Sequence, residues 1–226
     1  MTEHTVLTDK LGVDIDPELL SLALTHRSYA YEHGGVPHNE RLEFLGDSIL
    51  GQAVTVHLFR EHPDLDEGSL AKRRASVVST VALAEVARGI GLGAHIRLGR
   101  GEDQTGGRDK DSILADTMEA ILGAAFLSAG PEASTALVLR LVAPLMADPE
   151  RYGAAMDPKT SLQELAARAA LAPPVYAVTS EGPDHHRVFT AAVTVGEVTR
   201  TGVGSSKKQA EMAGALAVWH ALSDRA

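Results

Sequence analysis

The stretch HNERLEFLGDSIL, residues 38–50, decides the fold of the larger part of the chain. Its apolar residues recur at three- and four-residue spacings, which predicts an α-helix with one apolar stripe. The stripe consists of Leu42, Leu45, Ile49 and, further along, Ala53. At about 100° of rotation per residue, the carboxylates of Glu40, Glu43 and Asp47 fall within an arc of about 60°.

This acidic face has two interpretations. Like charges at these spacings repel one another, and a solvated surface without a ligand is the simpler interpretation. Against it, no lysine or arginine lies on this face to pair with the carboxylates, and apolar residues flank them. These flanking residues are Phe44, Leu50 and Val54. The alternative is that the carboxylates hold a cation.

A second predicted helix repeats the arrangement. Among residues 113–129 the only charged side chains are Asp116 and Glu119, again three residues apart. A helix that is apolar on nearly all sides is expected to be buried. A carboxylate there costs several kcal/mol unless it is protonated, paired or bound to a metal. Oxygen ligands without a cysteine or histidine cluster favour Mg²⁺, for which Mn²⁺ can substitute, over zinc.

The composition restricts the class of protein. The chain has 226 residues, 44% of them apolar, a net charge of −9 and no cysteine. The lack of cysteine excludes disulfides and thiolate metal sites and fits a reducing cytosol, so we expect a cytoplasmic protein. The N-terminal residues lack the layout of a signal peptide, and Asp116 and Glu119 interrupt the longest apolar run. We therefore expect no membrane segment.

The acidity is concentrated in the first part of the chain. Residues 1–157 hold 14 Lys and Arg against 24 Asp and Glu, a net charge of −10. Residues 158–226 hold seven against six, a net charge of +1. The C-terminal part is therefore electrostatically able to meet a polyanion.

The hydrophobic pattern divides the chain in the same way. Residues 16–145 predict successive helices, interrupted by a long glycine-rich loop over residues 91–110. That loop has no nucleotide-cradling motif, so no nucleotide cofactor is expected. Residues 158–226 predict a helix, three short strands and a helix. We expect an all-α domain over residues 1–147, a linker over 148–157, and a small α+β domain of order α-β-β-β-α over 158–226.

The stretch quoted at the outset resembles the signature motif of the ribonuclease III family, and DSILADTMEAILGA (residues 111–124) resembles its second acidic motif. The segments LTHRSY, DEGSLAKRRASVV and LGRGEDQTGGRDKDS are similar to further family segments in the same order. The resemblance implies four metal ligands: Glu43, Asp47, Asp116 and Glu119. It gives Asp47 and Glu119 a catalytic role and places Glu40 and Glu67 at the periphery. Glu67 is equally well explained as an acidic residue at a helix start.

Residues 158–226 resemble a double-stranded-RNA-binding domain. The resemblance implies that Gln163, Glu164 and His185 face successive minor grooves of the duplex. It also implies that Lys207 and Lys208, with Ser206 beside them, grip phosphates at the start of the last helix, where free N–H groups favour anions. A capped, solvated helix start explains the serines and lysines equally well. Gly214 stands where the family commonly has alanine, which we expect to weaken this helix slightly.

The resemblance implies a Mg²⁺-dependent endoribonuclease that hydrolyses double-stranded RNA as a homodimer. Such an enzyme leaves 5′-phosphate and 3′-hydroxyl ends with short 3′ overhangs and processes ribosomal RNA precursors and messenger RNA. Phe44 lies on the carboxylate side of its helix, and the resemblance implies that it docks into the partner subunit. Two other functions stay open: a non-cleaving regulator that binds duplex RNA, and a helical metal phosphohydrolase acting on small molecules.

Overall fold

The computed structural model describes residues 5–147, 154, 157–183 and 187–223. The chain divides into two compact units, Met1–Pro149 and Glu150–Ala226. The predicted linker, residues 148–157, lies outside the described residues except at positions 154 and 157. The first unit is helical and the second is α+β, so the predicted fold class is confirmed.

The first unit contains eight α-helices among its described residues. They are α1 Thr5–Leu11, α2 Pro17–Ala23, α3 Arg27–Glu32, α4 Glu40–Glu61, α5 Glu67–Val77, α6 Thr80–Ile90, α7 Arg100–Gln104 and α8 Asp111–Met146. Side-chain caps begin several of them, such as Asp16, whose carboxylate accepts hydrogen bonds from the N–H groups of Glu18 and Leu19. Gly130, at φ 83° and ψ 178°, breaks α8 into two arms.

Helix α8 is the centre of the core. Its first arm is buried on most sides, as its apolar sequence predicts, and α4 packs along it. Its length and hydropathy also suit a membrane span, but 61% of its most apolar window is buried inside the protein, as in a core helix. The buried face of α4 is wider than the predicted stripe. Leu50 and Val54, expected to border the carboxylates on the surface, are 0% exposed.

Two glycines set how closely α4 and α8 approach. A Cβ atom on Gly46 of α4 would lie 1.7 Å from the carbonyl oxygen of Glu119 on α8. A Cβ atom on Gly123 of α8 would lie 2.4 Å from the carbonyl oxygen of Leu42 on α4. The two backbones are therefore in direct contact at this crossing, which no other amino acid would allow.

The predicted loop over residues 91–110 is more ordered than expected. It contains α7 and two short 3₁₀ turns, Leu92–His95 and Gly107–Asp109. The charged residues that suggested a polar loop instead tie it down. Arg88 of α6 binds the carboxylates of Asp109 and Asp111, each at 2.6 Å, and Arg108 donates to the carbonyl oxygen of Ile96 at 3.0 Å. The loop prediction missed α7 and the two 3₁₀ turns, because the hydrogen bonds and ion pairs that hold this segment leave no periodic signal in the sequence.

Among its described residues, the second unit has two helices and an antiparallel sheet of order β1-β2-β3. Its elements are α9 Pro158–Arg168, β1 Val175–Glu181, β2 Val188–Val195, β3 Val198–Gly204 and α10 Lys207–Ser223. Gly214 is not the small defect that its sequence position suggests. A Cβ atom on it would lie 2.6 Å from Val193 Cγ2, and one on Gly202 of β3 would lie 2.1 Å from the Gly214 nitrogen. Glycine at both positions brings α10 directly onto β3.

Gly46→Ala is expected to lower the free energy of unfolding by about 1–3 kcal/mol or more, because the new methyl group must push α4 away from α8. Gly51→Ala on the same helix is the matched control, since a Cβ atom there has nothing within 4 Å. It should stabilise the protein by about 0.5–1 kcal/mol. Urea denaturation of both variants measures the difference, and equal stability of the two would contradict the close crossing.

Candidate functional site

Three carboxylates converge where α4 crosses α8. Glu43 lies one turn before Gly46 on α4, and Asp116 and Glu119 lie one turn apart on the first arm of α8. One oxygen atom from each of the three lies within 4.8 Å of the others. We call these three residues the carboxylate triad. Each is partly buried, so the triad sits at the edge of the core rather than on an open surface.

The triad is electrostatically strained without a cation. Burial, and then the charges of Asp47, Asp116 and Glu43, raise the pKa of Glu119 to about 8. Burial is also the main cause that raises the pKa of Glu43, followed by the charge of Asp116. Burial likewise raises the pKa of Asp116, although the positive charge of Arg27 opposes the shift. All three shifts have the same direction, because each group loses water and faces like charge.

The donor set fits a hard divalent cation. Among the described residues, no lysine, arginine or histidine nitrogen forms an ion pair with a triad carboxylate within 4.0 Å. Three carboxylate oxygens at this separation are the ligands that Mg²⁺, Mn²⁺ or Ca²⁺ prefer, and nitrogen or sulfur ligands are lacking. A bound cation would supply the positive charge that the raised pKa values show to be missing.

The other predicted acidic residues lie outside the triad. Asp47 is exposed on α4, and its carboxylate acts on Glu119 through its charge. Glu40 is exposed at the start of α4 and pairs with Arg27 Nη1 at 3.5 Å. The expectation that this face has no basic partner was therefore wrong for Glu40, because Arg27 arrives from α3. Glu67 is exposed at the first position of α5 and is not part of the triad.

A polar recess of about 550 Å³ lies beside the triad. Glu43 and Asp116 form one side of it. Six further residues that line it are His26, Arg27, Asn39, Glu102, Lys110 and Ser112. The residue pattern alone did not identify them as a site, since they come from three separate segments. Their signal was the resemblance alone: Asn39 lies in the stretch of residues 38–50, and the others lie in LTHRSY and LGRGEDQTGGRDKDS. For His26, Arg27 and Ser112 the sequence favoured structural roles.

Phe44 is 79% exposed in the single chain. The sequence prediction that it points away from its own core therefore agrees with its position. Among the described residues of this unit, three other large apolar side chains are at least half exposed: Tyr31, Phe59 and Leu127. A contact between subunits would have to cover Phe44 from outside the chain.

In the second unit, the predicted RNA-binding residues lie at two helices. Gln163 and Glu164 are exposed on α9, whereas Leu162 on the same helix is buried. At the other helix, the hydroxyl oxygen of Ser206 accepts a hydrogen bond from the Gln209 N–H at 3.2 Å, which is a capping contact. Lys207 and Lys208 are exposed at the first turn of α10. His185 lies outside the described residues.

A contact that the sequence did not reveal joins these two helices. Lys159 of α9 donates to Glu211 of α10 at 2.7 Å and lies 4.6 Å from the centre of the Tyr176 ring. Glu211 also pairs with Lys207 at 3.8 Å. The spacing of Lys207 and Glu211, four residues apart, was the only local signal for it. Lys207 is therefore held by a carboxylate that α9 fixes in place.

Two family models match the chain. The model described as Ribonuclease-III-like matches residues 16–145, and the Double-stranded RNA binding motif matches residues 158–222. The first match covers the helical unit with the triad, and the second covers the α+β unit.

Known relatives agree with these matches over nearly the whole chain. A protein of Leifsonia xyli subsp. xyli named Ribonuclease 3 is 70% identical over 224 residues, which cover 99% of this chain and 94% of that protein. The Ribonuclease 3 of Streptomyces coelicolor is 57% identical, over 98% of this chain and 80% of that protein. The solved nuclease domain of ribonuclease III from Campylobacter jejuni is 38% identical with a TM-score of 0.60, and the match covers 63% of this chain and 97% of that domain.

Cation binding near pH 7 is expected to release a proton, because the pKa of Glu119 is raised to about 8 and a carboxylate must be ionised to ligate. Below that pKa the proton competes with the cation, so affinity should rise from about pH 6 and level off above about pH 8. Calorimetry with Mg²⁺ in two buffers of different ionisation enthalpy counts the protons. Glu119→Gln should abolish the release. Equal affinity at about pH 6 and pH 8.5 would contradict the assignment.

Proposed function

The chain belongs to the ribonuclease III family and is an endoribonuclease that acts on double-stranded RNA. On that premise we propose that the carboxylate triad holds Mg²⁺ and that the cation promotes hydrolysis of the RNA backbone. The products we propose are 5′-phosphate and 3′-hydroxyl ends. The observation that carries the proposal is the convergence of Glu43, Asp116 and Glu119 within 4.8 Å, without a basic partner among the described residues. Mn²⁺ takes the same oxygen ligands and is expected to substitute.

In this proposal the three triad carboxylates hold the cation, and Asp47 supports them from the next turn of α4 through its charge or a bridging water. A divalent cation held by these residues would lower the pKa of a nearby water and stabilise negative charge on the phosphate. The water oxygen forms a bond to phosphorus while the bond from phosphorus to the 3′-oxygen breaks. The proton of the water ends on that oxygen, which balances the step. No side-chain nucleophile is needed, and the chain has no cysteine.

We propose that the second unit holds the duplex during cleavage. Gln163, Glu164 and His185 are assigned to the minor grooves, and Ser206, Lys207 and Lys208 to the phosphates between them. The net charge of +1 after residue 157, against −10 before it, supports this division of labour. Exposure of the two lysines and of Gln163 supports it as well.

We propose a homodimer in which Phe44 docks into the partner subunit beside the carboxylates. The Campylobacter jejuni nuclease domain has a region described as involved in dimer formation, and Phe44 is 79% exposed in the single chain. Two equivalent sites would cut the two strands at offset positions, which accounts for short 3′ overhangs.

The cellular role is proposed as processing of ribosomal RNA precursors and messenger RNA in the cytoplasm. The activity on double-stranded RNA and the cysteine-free composition support it. Depletion of the protein should cause unprocessed ribosomal RNA precursors to accumulate, and cell fractionation should recover it in the cytosol. Normal precursor levels after depletion would contradict this role.

Glu119→Gln is expected to lower cleavage of duplex RNA by orders of magnitude while leaving binding of the duplex intact. The substitution keeps the size of the side chain but removes one triad charge. A gel of duplex RNA with Mg²⁺, with Mn²⁺ or with EDTA measures cleavage, and mobility shift measures binding. End-labelled products report the phosphate position. Near-normal cleavage by the variant in Mg²⁺, or wild-type cleavage in EDTA, would overturn the proposal.

Lys207→Ala combined with Lys208→Ala should weaken duplex binding. The slope of log K against log salt concentration should also become shallower, by an amount corresponding to up to about two phosphate contacts. Arg200→Ala removes a charge from β3 instead and should leave the slope unchanged. Binding measured at a series of salt concentrations decides between the two. An unchanged slope in the lysine variant would remove these residues from the RNA interface.

Phe44→Ala is expected to weaken dimerisation by at least about two orders of magnitude. Burying one phenylalanine is worth roughly 1.5–3 kcal/mol, and a two-fold dimer loses two of them. Phe59→Ala is the matched control, since Phe59 is 70% exposed near the other end of the same helix. Sedimentation over a concentration series measures both. A wild-type monomer, or equal dissociation constants for wild type and Phe44→Ala, would disprove the contact.

A further inference from the structure

The recess beside the triad contains a buried donor with no acceptor. Asn39, just before α4, is only 2% exposed and is one of the residues that line the recess. Its backbone is satisfied, since its N–H donates to Thr25 and its carbonyl oxygen accepts from Leu42 and Glu43. The side-chain Nδ2 has no hydrogen-bond partner in the structure. A buried amide without an acceptor costs free energy, so a ligand in the recess that supplies one is favoured.

The first turn of α8 faces the same recess. Ser112 and Ile113 line it, and no side chain caps the N-terminus of this helix. Lys110 occupies the capping position, and the carboxylate of Asp111, the first residue of the helix, accepts a hydrogen bond from Arg88. The free N–H groups and the positive end of a long helix dipole therefore remain available to an anion. The Ser112 hydroxyl adds a further donor at the same place.

The charges around the recess also suit an anion next to a bound cation. Arg27 pairs with Glu40, and Lys110 pairs with Glu102, so the net charge of these four side chains is zero. The carboxylates that remain, Glu43 and Asp116, belong to the triad and are the ones that a cation would neutralise. The recess then presents guanidinium, ammonium, amide, hydroxyl and backbone donors to its ligand.

We propose that this recess binds a phosphate group of the RNA strand being cut, next to the phosphate that is hydrolysed. This inference rests on the proposed function, because the strand reaches the recess only if the triad is the cleavage site. Phosphate oxygens are acceptors for every donor described, whereas a neutral base or sugar would use only some of them. Asn39 and Ser112 position the strand, and neither takes part in the bond changes.

The first test uses inorganic phosphate as the probe and the full-length protein in Mg²⁺. Nitrogen-15 NMR of the Asn39 side-chain amide should show a saturable shift as phosphate is added. Ser112→Asp places a carboxylate at the free helix start, where it suits the helix but repels phosphate. The dissociation constant of the Ser112→Asp variant for phosphate should be at least fivefold higher than that of the wild type. Ser69→Asp, the same change in the first turn of α5, is the control and should bind as the wild type does.

An Asn39 amide that does not move, or a Ser112→Asp dissociation constant raised less than fivefold, overturns the recess as a phosphate site. Failure of the proposed function gives a different result: wild-type protein would not cleave duplex RNA in Mg²⁺, whether or not the Asn39 amide resonance shifts with phosphate. Since Asn39 is buried and its variants risk misfolding, the wild-type resonance and Ser112→Asp carry the test.

The second test distinguishes a strand phosphate from free phosphate. Duplex RNA is prepared with one neutral methylphosphonate at each position flanking the cut in turn. At one position the replacement should lower kcat/KM of the wild type at least fivefold but have less than a twofold effect on Ser112→Asp, which has already lost the contact. Equal losses in the two proteins at every position would overturn the assignment to the strand.

Discussion

The site depends on one contact, the glycine-to-backbone crossing of α4 and α8. Gly46 and Gly123 let each helix touch the other's carbonyl oxygen, of Glu119 and Leu42 respectively. Because the backbones meet there, carboxylates one turn away on either helix come within a few ångströms of one another. A wider separation, with ordinary side chains between the helices, would leave Glu43 too far from Asp116 and Glu119 to share a ligand.

This arrangement opposes the stability of the fold without a cation. Burial and mutual repulsion raise the pKa of Glu119 to about 8, above the ordinary value for a glutamate. A carboxyl group whose pKa is higher in the folded state than in the unfolded chain favours folding less as pH rises between these two values. The loss is complete above about pH 8. A cation bound to the triad would reverse this effect and so link the site to the stability of the helical unit through the same three side chains.

The segment before α8 is held in place by ion pairs and hydrogen bonds whose charges are matched within the segment and its neighbours. Arg88 and Arg108 tie the segment before α8 to its neighbours, so that one wall of the recess is built from ion-paired loop. In the second unit, Gly202 and Gly214 again allow close contact, here between a strand and a helix. Lys159 and Glu211 form an ion pair, and Glu211 also pairs with Lys207, one of the residues proposed to contact phosphates.

Local periodicity was enough to predict the helical unit, the α-β-β-β-α unit and the two acidic motifs, because an amphipathic pattern depends only on residues close together in the sequence. Asp116 and Glu119 were identified as anomalous by the apolar helix around them. What local pattern could not supply were the contacts between distant segments. The pairing of Arg27 with Glu40, the recess around Asn39, the short helix α7 and the need for glycine at position 214 all depend on residues far apart in the chain. Only tertiary packing brings those residues together: α7 is held to α3 through Glu32, and α10 packs on β3 through Gly214.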